Sequence, residues 1–223
     1  MSDRFYDQTV SKQTPGPVIT ISRLYGCPAK KVAKSLAEHL TDKMTVKGYE
    51  NPKWDYVTKE IMNESASELE MDPSKIKYVF DYEKKSLIDD IISAHSNKYY
   101  KSDRKIRNTV AKVVRNIAAE GQTIIVGRGG VAITRDIEKS LHINLEAPLE
   151  WRTIRISEKQ DVTLEEAEKI VKQIDKKRKE FRESFAGKGT DYTQFDITIN
   201  CMTLSIEEIV AIIIKAVEVR KLI

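Results

Sequence analysis

A chain of 223 residues lies near the upper end of what one hydrophobic core organises, so the expectation is one α/β domain with a helical insert rather than two domains. Its 38 basic and 34 acidic residues leave a net charge of +4, a mixed solvated surface that argues against nucleic acid as a partner. No stretch reaches the roughly 18 apolar residues of a membrane span. The two cysteines, Cys27 and Cys201, and the three histidines, His39, His95 and His142, stand apart in sequence and encode neither a zinc site nor a disulfide framework. Residues 1–17 are polar where a signal peptide needs a greasy segment, so they read as a disordered tail and the expected location is cytoplasmic.

Thr14-Pro15-Gly16-Pro17 cannot continue a regular element, which puts the start of the fold at Val18. Val18-Ile19-Thr20-Ile21-Ser22 is β-branched and nearly apolar, as a strand covered on both faces requires. It runs through Gly26-Cys27-Pro28 into Val32, Ala33, Leu36, Ala37 and Leu40, whose spacing predicts a helix. From about 41 to 105 the pattern is mixed and reads as a helical insert. Within it Trp54 to Leu69 looks helical, Asp72-Pro73 resembles an N-cap with a first-turn proline, and Ser86 to His95 is another helical run. Ile106 to Ala119 is a firmer helix ended by Gly121, and it leads into the strand Thr123-Ile124-Ile125-Val126, which closes on Gly127-Arg128-Gly129-Gly130. Leu141 to Leu145 and Asp196 to Asn200 read as a third and a fourth strand. Thr163-Leu164-Glu165-Glu166 and Ser205-Ile206-Glu207-Glu208 are capping boxes that open two further helices. Strands separated by helices imply a parallel sheet with helices on both faces, whose ligands bind beyond the carboxyl ends of the strands.

A strand, a short glycine-bearing loop and a helix make an anion site, because unpaired backbone N–H groups and the helix dipole converge there. Gly26 to Lys31 occupies that place, but the strict pattern G-x-x-x-x-G-K-[ST] is missing. Pro28 has no N–H, Ala29 stands about where the lysine would, and Lys31 about where the magnesium-binding hydroxyl would. Lys30 and Lys31 fall in the first helical turn, where the dipole disfavours cations and a bound anion would reverse the cost; an ordinary strand-to-helix turn is the plainer alternative. Cys27 lies at a helix N-terminus, which can lower a thiol's pKa, against the simpler reading of a passive small residue.

Four motifs in order resemble the cytidylate kinase-like proteins, P-loop proteins of the nucleoside monophosphate kinase type. Ile19-Thr20-Ile21-Ser22-Arg23 with Gly26 resembles that family's opening I-T-I-S-R and glycine-rich loop, and Val126-Gly127-Arg128-Gly129 its V-G-R-G segment. Glu146-Ala147-Pro148-Leu149-Glu150-Trp151-Arg152 resembles its x-A-P-x-E-x-R segment, and Asp175-Lys176-Lys177-Arg178 its D-x-x-R. The similarity runs from about Val18 to Val219 and is weakest between 41 and 105. It implies a parallel five-stranded P-loop kinase core over residues 18–223, with a nucleotide-monophosphate-binding insert at about 41–105 and an arginine-bearing lid at about 150–190. It also implies that Arg128, beside Gly127, grips the acceptor phosphate, and that Arg152, Arg155, Arg178 and Arg182 serve the transfer from the lid. ATP with Mg2+ would then lie on the loop of Arg23, Gly26, Cys27, Ala29, Lys30 and Lys31, which holds fewer glycines than the family's.

Phosphoryl transfer asks a protein for charge neutralisation and in-line positioning, and arginines supply both. Arg152 and Arg155 are three apart and Arg178 and Arg182 four apart, so each pair shares a helix face; the alternative is that they are solvated or bridged to Glu158, Asp175 or Glu180. Glu146 and Asp55 are the candidates for magnesium, with Asp55 also placed on the acceptor side, and surface acids are the alternative for both. The expected function is therefore ATP-dependent phosphoryl transfer to a nucleoside monophosphate, CMP or dCMP by resemblance. The alternative is a catalytically impaired nucleotide-binding module. Small-molecule nucleotides are the expected partners, with neither nucleic acid nor membrane.

Overall fold

Five strands, all parallel, form one sheet in the order β2-β3-β1-β4-β5 in this computed structural model, which describes residues 16–50, 52–58, 60–70, 103–189 and 192–223. β1 (Val18–Arg23) lies at the centre with β3 (Thr123–Val126) on one side and β4 (Ser140–Glu146) on the other; β2 (Asp55–Val57) and β5 (Ile197–Asn200) are the edges. β1, β3 and β4 are buried almost throughout, which is why they read as continuous apolar runs. From β3 the chain crosses β1 to reach β4, so its direction of winding reverses at β1, and the crevice beyond that strand's carboxyl end is where an open α/β sheet takes ligands.

Helices cover both faces. On one, α1 (Ala29–Val46) buries Ala29, Val32, Ala33, Leu36, Ala37, Leu40 and Met44, a stripe at helical spacing that packs with Ile209, Ile213 and Val217 of α7 (Ile206–Val219) against Ile19, Ile21, Ile143 and Leu145. On the other, α2 (Glu60–Glu68), α3 (Asp103–Glu120) and the short α4 (Gly130–Ile133) close over Val18 and Ile125. Each fully buried Leu or Ile in these layers contributes about 1.5–3 kcal/mol.

A third cluster lies at the carboxyl end of the sheet. There α5 (Leu149–Gln160) and α6 (Leu164–Ala186) bury Ile156, Ala167, Val171 and Ile174 around Tyr25, which belongs to the loop after β1. Both capping boxes form: Thr163 Oγ1 accepts from Glu166 N–H at the start of α6, and Ser205 Oγ accepts from Glu208 N–H at the start of α7.

One stretch differs from the sequence reading. Trp54 to Val57 was expected in a helix, and the structure places Asp55–Val57 in the edge strand β2 instead, with helix only from Glu60. Trp54 is held by contacts distant in sequence, its N–H on Thr41 Oγ1 (2.9 Å) and its indole N–H on Met44 Sδ (3.0 Å), and these override local pattern. The predicted runs at Asp72-Pro73 and Ser86 to His95, and most of the tail at 1–17, lie outside the described residues.

Candidate active site

The loop from β1 to α1 is built as a tight turn. Leu24 N–H bonds the Leu145 carbonyl (2.9 Å), Cys27 N–H turns back to the Leu24 carbonyl (3.3 Å), and Ala29 N–H to that of Cys27 (3.0 Å). Gly26 has φ +94°, and a side chain there would come within 3.0 Å of Arg152 Cβ, so both conformation and space demand glycine. Pro28 occupies the N-cap of α1 without a side-chain cap. Of the first-turn donors, helix geometry leaves the N–H groups of Lys30 and Lys31 without intrahelical acceptors.

Tyr25 is the hub that the sequence did not reveal. Its N–H donates to Asp175 Oδ1 (2.7 Å), its carbonyl accepts from Arg152 Nη1 (3.1 Å), its hydroxyl accepts from Gln160 Nε2 (2.8 Å), and the Arg178 guanidinium lies 5.1 Å over its ring. Arg152 also donates from Nη1 to Asp175 Oδ2 (2.6 Å) and from Nε to the Ala147 carbonyl (2.8 Å). At 5% exposure it is a clamp that joins the loop, the end of β4 and α6. The expectation of Arg152 as a phosphate fork gives way to this structural role, and Asp175 is the bridging partner that its alternative reading named. An aromatic inside the loop, and an aspartate one helical turn before Arg178, were the available signals.

The other arginines gather around that clamp. Arg155 stacks on Trp151 (4.5 Å) and its Nε points at the Gly26 carbonyl (3.4 Å). Arg178 Nη1 points at the Arg23 carbonyl (3.4 Å), and the Arg23 guanidinium lies against Gly127 so closely that any side chain there would collide with it. Arg182, one turn beyond Arg178, lies 5.5 Å over Phe195; its Nε is buried and has no hydrogen-bond partner among the described residues. Burial holds the Arg182 pKa below the ordinary arginine value, opposed by the charge of Glu183 and, more weakly, by Tyr192 and Glu146.

Across β3 the turn Gly127-Arg128-Gly129 places three consecutive residues at positive φ, 72°, 55° and 72°. For Arg128 this left-handed backbone is a strained state of the kind that gathers at binding sites. Its Nε donates to the Thr58 carbonyl (3.1 Å) at the end of β2, and Phe185 of α6 packs where a side chain on Gly129 would stand, at 2.8 Å. One helix, α6, thus touches the β1–α1 loop through Asp175 and the β3 turn through Phe185.

Three expected site residues are placed differently. Ala29 is 3% exposed and packs in the α1 core, so it serves the loop through its backbone, whose N–H bonds the Cys27 carbonyl. Asp55 pairs with Thr123 at the amino end of β3 and bridges Lys53 (2.9 Å), which puts it at the end of the sheet opposite the loops. Cys27, rather than having its pKa lowered by the helix N-terminus, has its thiol pushed far up, first by the hydrogen bond with Cys201 and then by burial.

The phosphate-binding fit rests on the orphaned Arg182 Nε and on the arginines converging from four segments, which suit phosphate oxygens. The described residues do not build a magnesium site. Glu146 Oε1 already accepts from Asn144 Nδ2 (2.8 Å), its charge raises the Tyr192 pKa, and among the described residues no group of three or more His, Cys, Asp or Glu converges.

A search of curated proteins gave no match. Among solved structures, an uncharacterized protein from Eubacterium ventriosum ATCC 27560 is similar at TM-score 0.62 and 21% identity, covering 91% of this chain and 98% of its own. Shikimate kinase from Bacteroides thetaiotaomicron is similar at TM-score 0.54 and 12% identity, with the same coverages. Both likenesses concern the fold, an α/β P-loop kinase fold with an all-parallel five-stranded sheet. The family model described as the cytidylate kinase-like family matches residues 18–203, from β1 past the end of β5, and the chain belongs to that family.

Proposed function

We propose that this protein transfers the terminal phosphoryl group of ATP to a nucleoside monophosphate, CMP or dCMP by family. The observation that carries the reading is the convergence of Arg23, Arg155, Arg178 and Arg182 beyond the carboxyl ends of β1 and β4, with Arg128 beyond β3. Family membership supports a kinase-like activity in general terms.

In this reading ATP lies along the N-terminus of α1, its phosphates met by the N–H groups of Lys30 and Lys31 and by the Arg155, Arg178 and Arg182 guanidinium groups. Arg128 holds the acceptor phosphate across the crevice. The guanidinium forks neutralise the equatorial oxygens of the transferred group and keep donor and acceptor in line, which is most of what the protein must do. Magnesium, when present, supplies charge neutralisation on the nucleotide's own phosphates, and none of these steps is assigned to a protein-held metal.

The second reading, binding without transfer, is favoured by one feature: the loop presents few amides, because Pro28 lacks an N–H and those of Tyr25, Cys27 and Ala29 are bonded within the protein. Incubation of the pure protein with ATP, magnesium and a panel of monophosphates separates the two. Equal amounts of ADP and a nucleoside diphosphate support transfer, whereas saturable nucleotide binding with no product leaves only the second reading.

A further inference from the structure

The two thiols of the chain, far apart in sequence, meet at the carboxyl end of β4. Leu24 N–H bonds the Leu145 carbonyl (2.9 Å) and Cys201 N–H bonds the Glu146 carbonyl (2.7 Å). The β1–α1 loop and the turn leaving β5 therefore hang on consecutive residues of one strand. Cys27 packs against the cluster that contains Cys201, the two side chains hydrogen-bond each other, and both are unoxidised. Cys27 is half-buried in the loop and Cys201 is 5% exposed behind it.

We propose that Cys27 and Cys201 form an oxidisable dithiol, which a peroxide converts into an intramolecular disulfide that ties the β1–α1 loop to the end of β5. One sulfur of the pair, as its thiolate, attacks a peroxide oxygen, the O–O bond breaks, and the departing hydroxide takes up a proton to become water, leaving that sulfur as a sulfenic acid. The other sulfur then attacks it, the S–O bond breaks, and hydroxide departs as water with the second thiol's proton. Two thiols are oxidised by two electrons to one disulfide, and the peroxide is reduced to two waters.

Cys27 lies between Gly26, whose carbonyl faces Arg155, and Pro28, the N-cap of α1, so the new bond fixes the segment on which the phosphates of ATP are proposed to lie. That consequence for nucleotide binding rests on the proposed function, whereas bond formation does not, and the test needs no nucleotide. Reduced full-length protein is treated with hydrogen peroxide in small excess, alkylated with iodoacetamide and weighed intact. The expected result is loss of two hydrogens, no alkylation of either cysteine, a Cys27–Cys201 cross-linked peptide in a non-reducing digest, and full reversal by dithiothreitol. Cys27→Ser and Cys201→Ala each abolish the cross-link and leave the remaining thiol alkylatable or singly oxidised. Amide exchange at Cys27 to Lys31 should also slow on oxidation. Two alkylatable thiols after peroxide, an oxygen adduct without the cross-link in the wild type, disulfide-linked dimers, or unchanged exchange in cross-linked protein would each overturn the proposal.

Discussion

Arg128 combines a backbone that arginine adopts at a cost with a side chain aimed across the sheet at the Thr58 carbonyl. If it grips the acceptor phosphate, Arg128→Ala removes a charge-assisted contact of about 2–3 kcal/mol, and calorimetry should show CMP weakened roughly 30-fold with ATP nearly unchanged. Arg128→Lys should recover only part of the loss, because an ammonium lacks the planar fork. Asp175 carries a different burden. Its carboxylate takes Tyr25 N–H and the Arg152 guanidinium, whose side chain is 7% exposed, so Asp175→Ala leaves a buried cation unpaired. Urea unfolding should register a loss of about 3–5 kcal/mol; a loss below ~1 kcal/mol would show that the clamp is ornamental. His142 sits in β4 with Nδ1 at Thr20 Oγ1 (2.8 Å) and Nε2 at Ser140 Oγ (3.2 Å), and burial lowers its pKa from the ordinary 6.5, against an opposing effect of Asp196 and reinforced by Arg220. The unfolded chain then binds the extra proton first, so stability is full above about pH 6.5 and declines as the pH falls from there toward the folded value. His142→Gln should flatten the urea midpoint's pH dependence across that window, and an unaltered slope would show that another group governs it.

At the scale of elements, the sequence was most legible where local pattern and burial agree. The apolar runs of β1, β3 and β4 and the two capping boxes are written in short windows, and the structure has them within a residue or two. β2 was missed because three residues carry almost no period, and what makes them a strand is pairing with Thr123 to Ile125, far along the chain. The site was half legible for the same reason. Gly26, Arg128 and the arginines of α5 and α6 could be named from motif and spacing, but Tyr25 as the hub of the loop depends on α5 and α6 folding over it. Ala29 was matched to a lysine by counting positions, and its place on the buried stripe of α1 decides otherwise. The loop itself yields a prediction. Pro28→Gly restores one N–H at the N-cap of α1, and inorganic phosphate or ATP should bind about 1 kcal/mol more tightly, roughly fivefold by calorimetry. Weaker binding with the fold intact would mean that proline's rigidity matters more than the missing donor.

The whole molecule sets the β1–α1 loop and the β3 turn against one helix. α6 reaches from Asp175, on the β1–α1 loop, to Phe185, on the β3 turn, so the proposed donor and acceptor sides are held in register by a single 23-residue helix. Fixing two reactants at the proper separation is the larger part of phosphoryl-transfer catalysis, and it explains how a loop with few amides could still serve if arginines supply the charge. The most direct test follows the phosphoryl group itself. The protein is mixed with γ-labelled ATP, magnesium and CMP, and the label is traced with time. The account predicts that label appears in CDP, in step with ADP, and that Arg128→Ala slows this at subsaturating CMP far more than it changes ATP binding. Label released only as inorganic phosphate, or retained in ATP by protein that demonstrably binds both nucleotides, would contradict it.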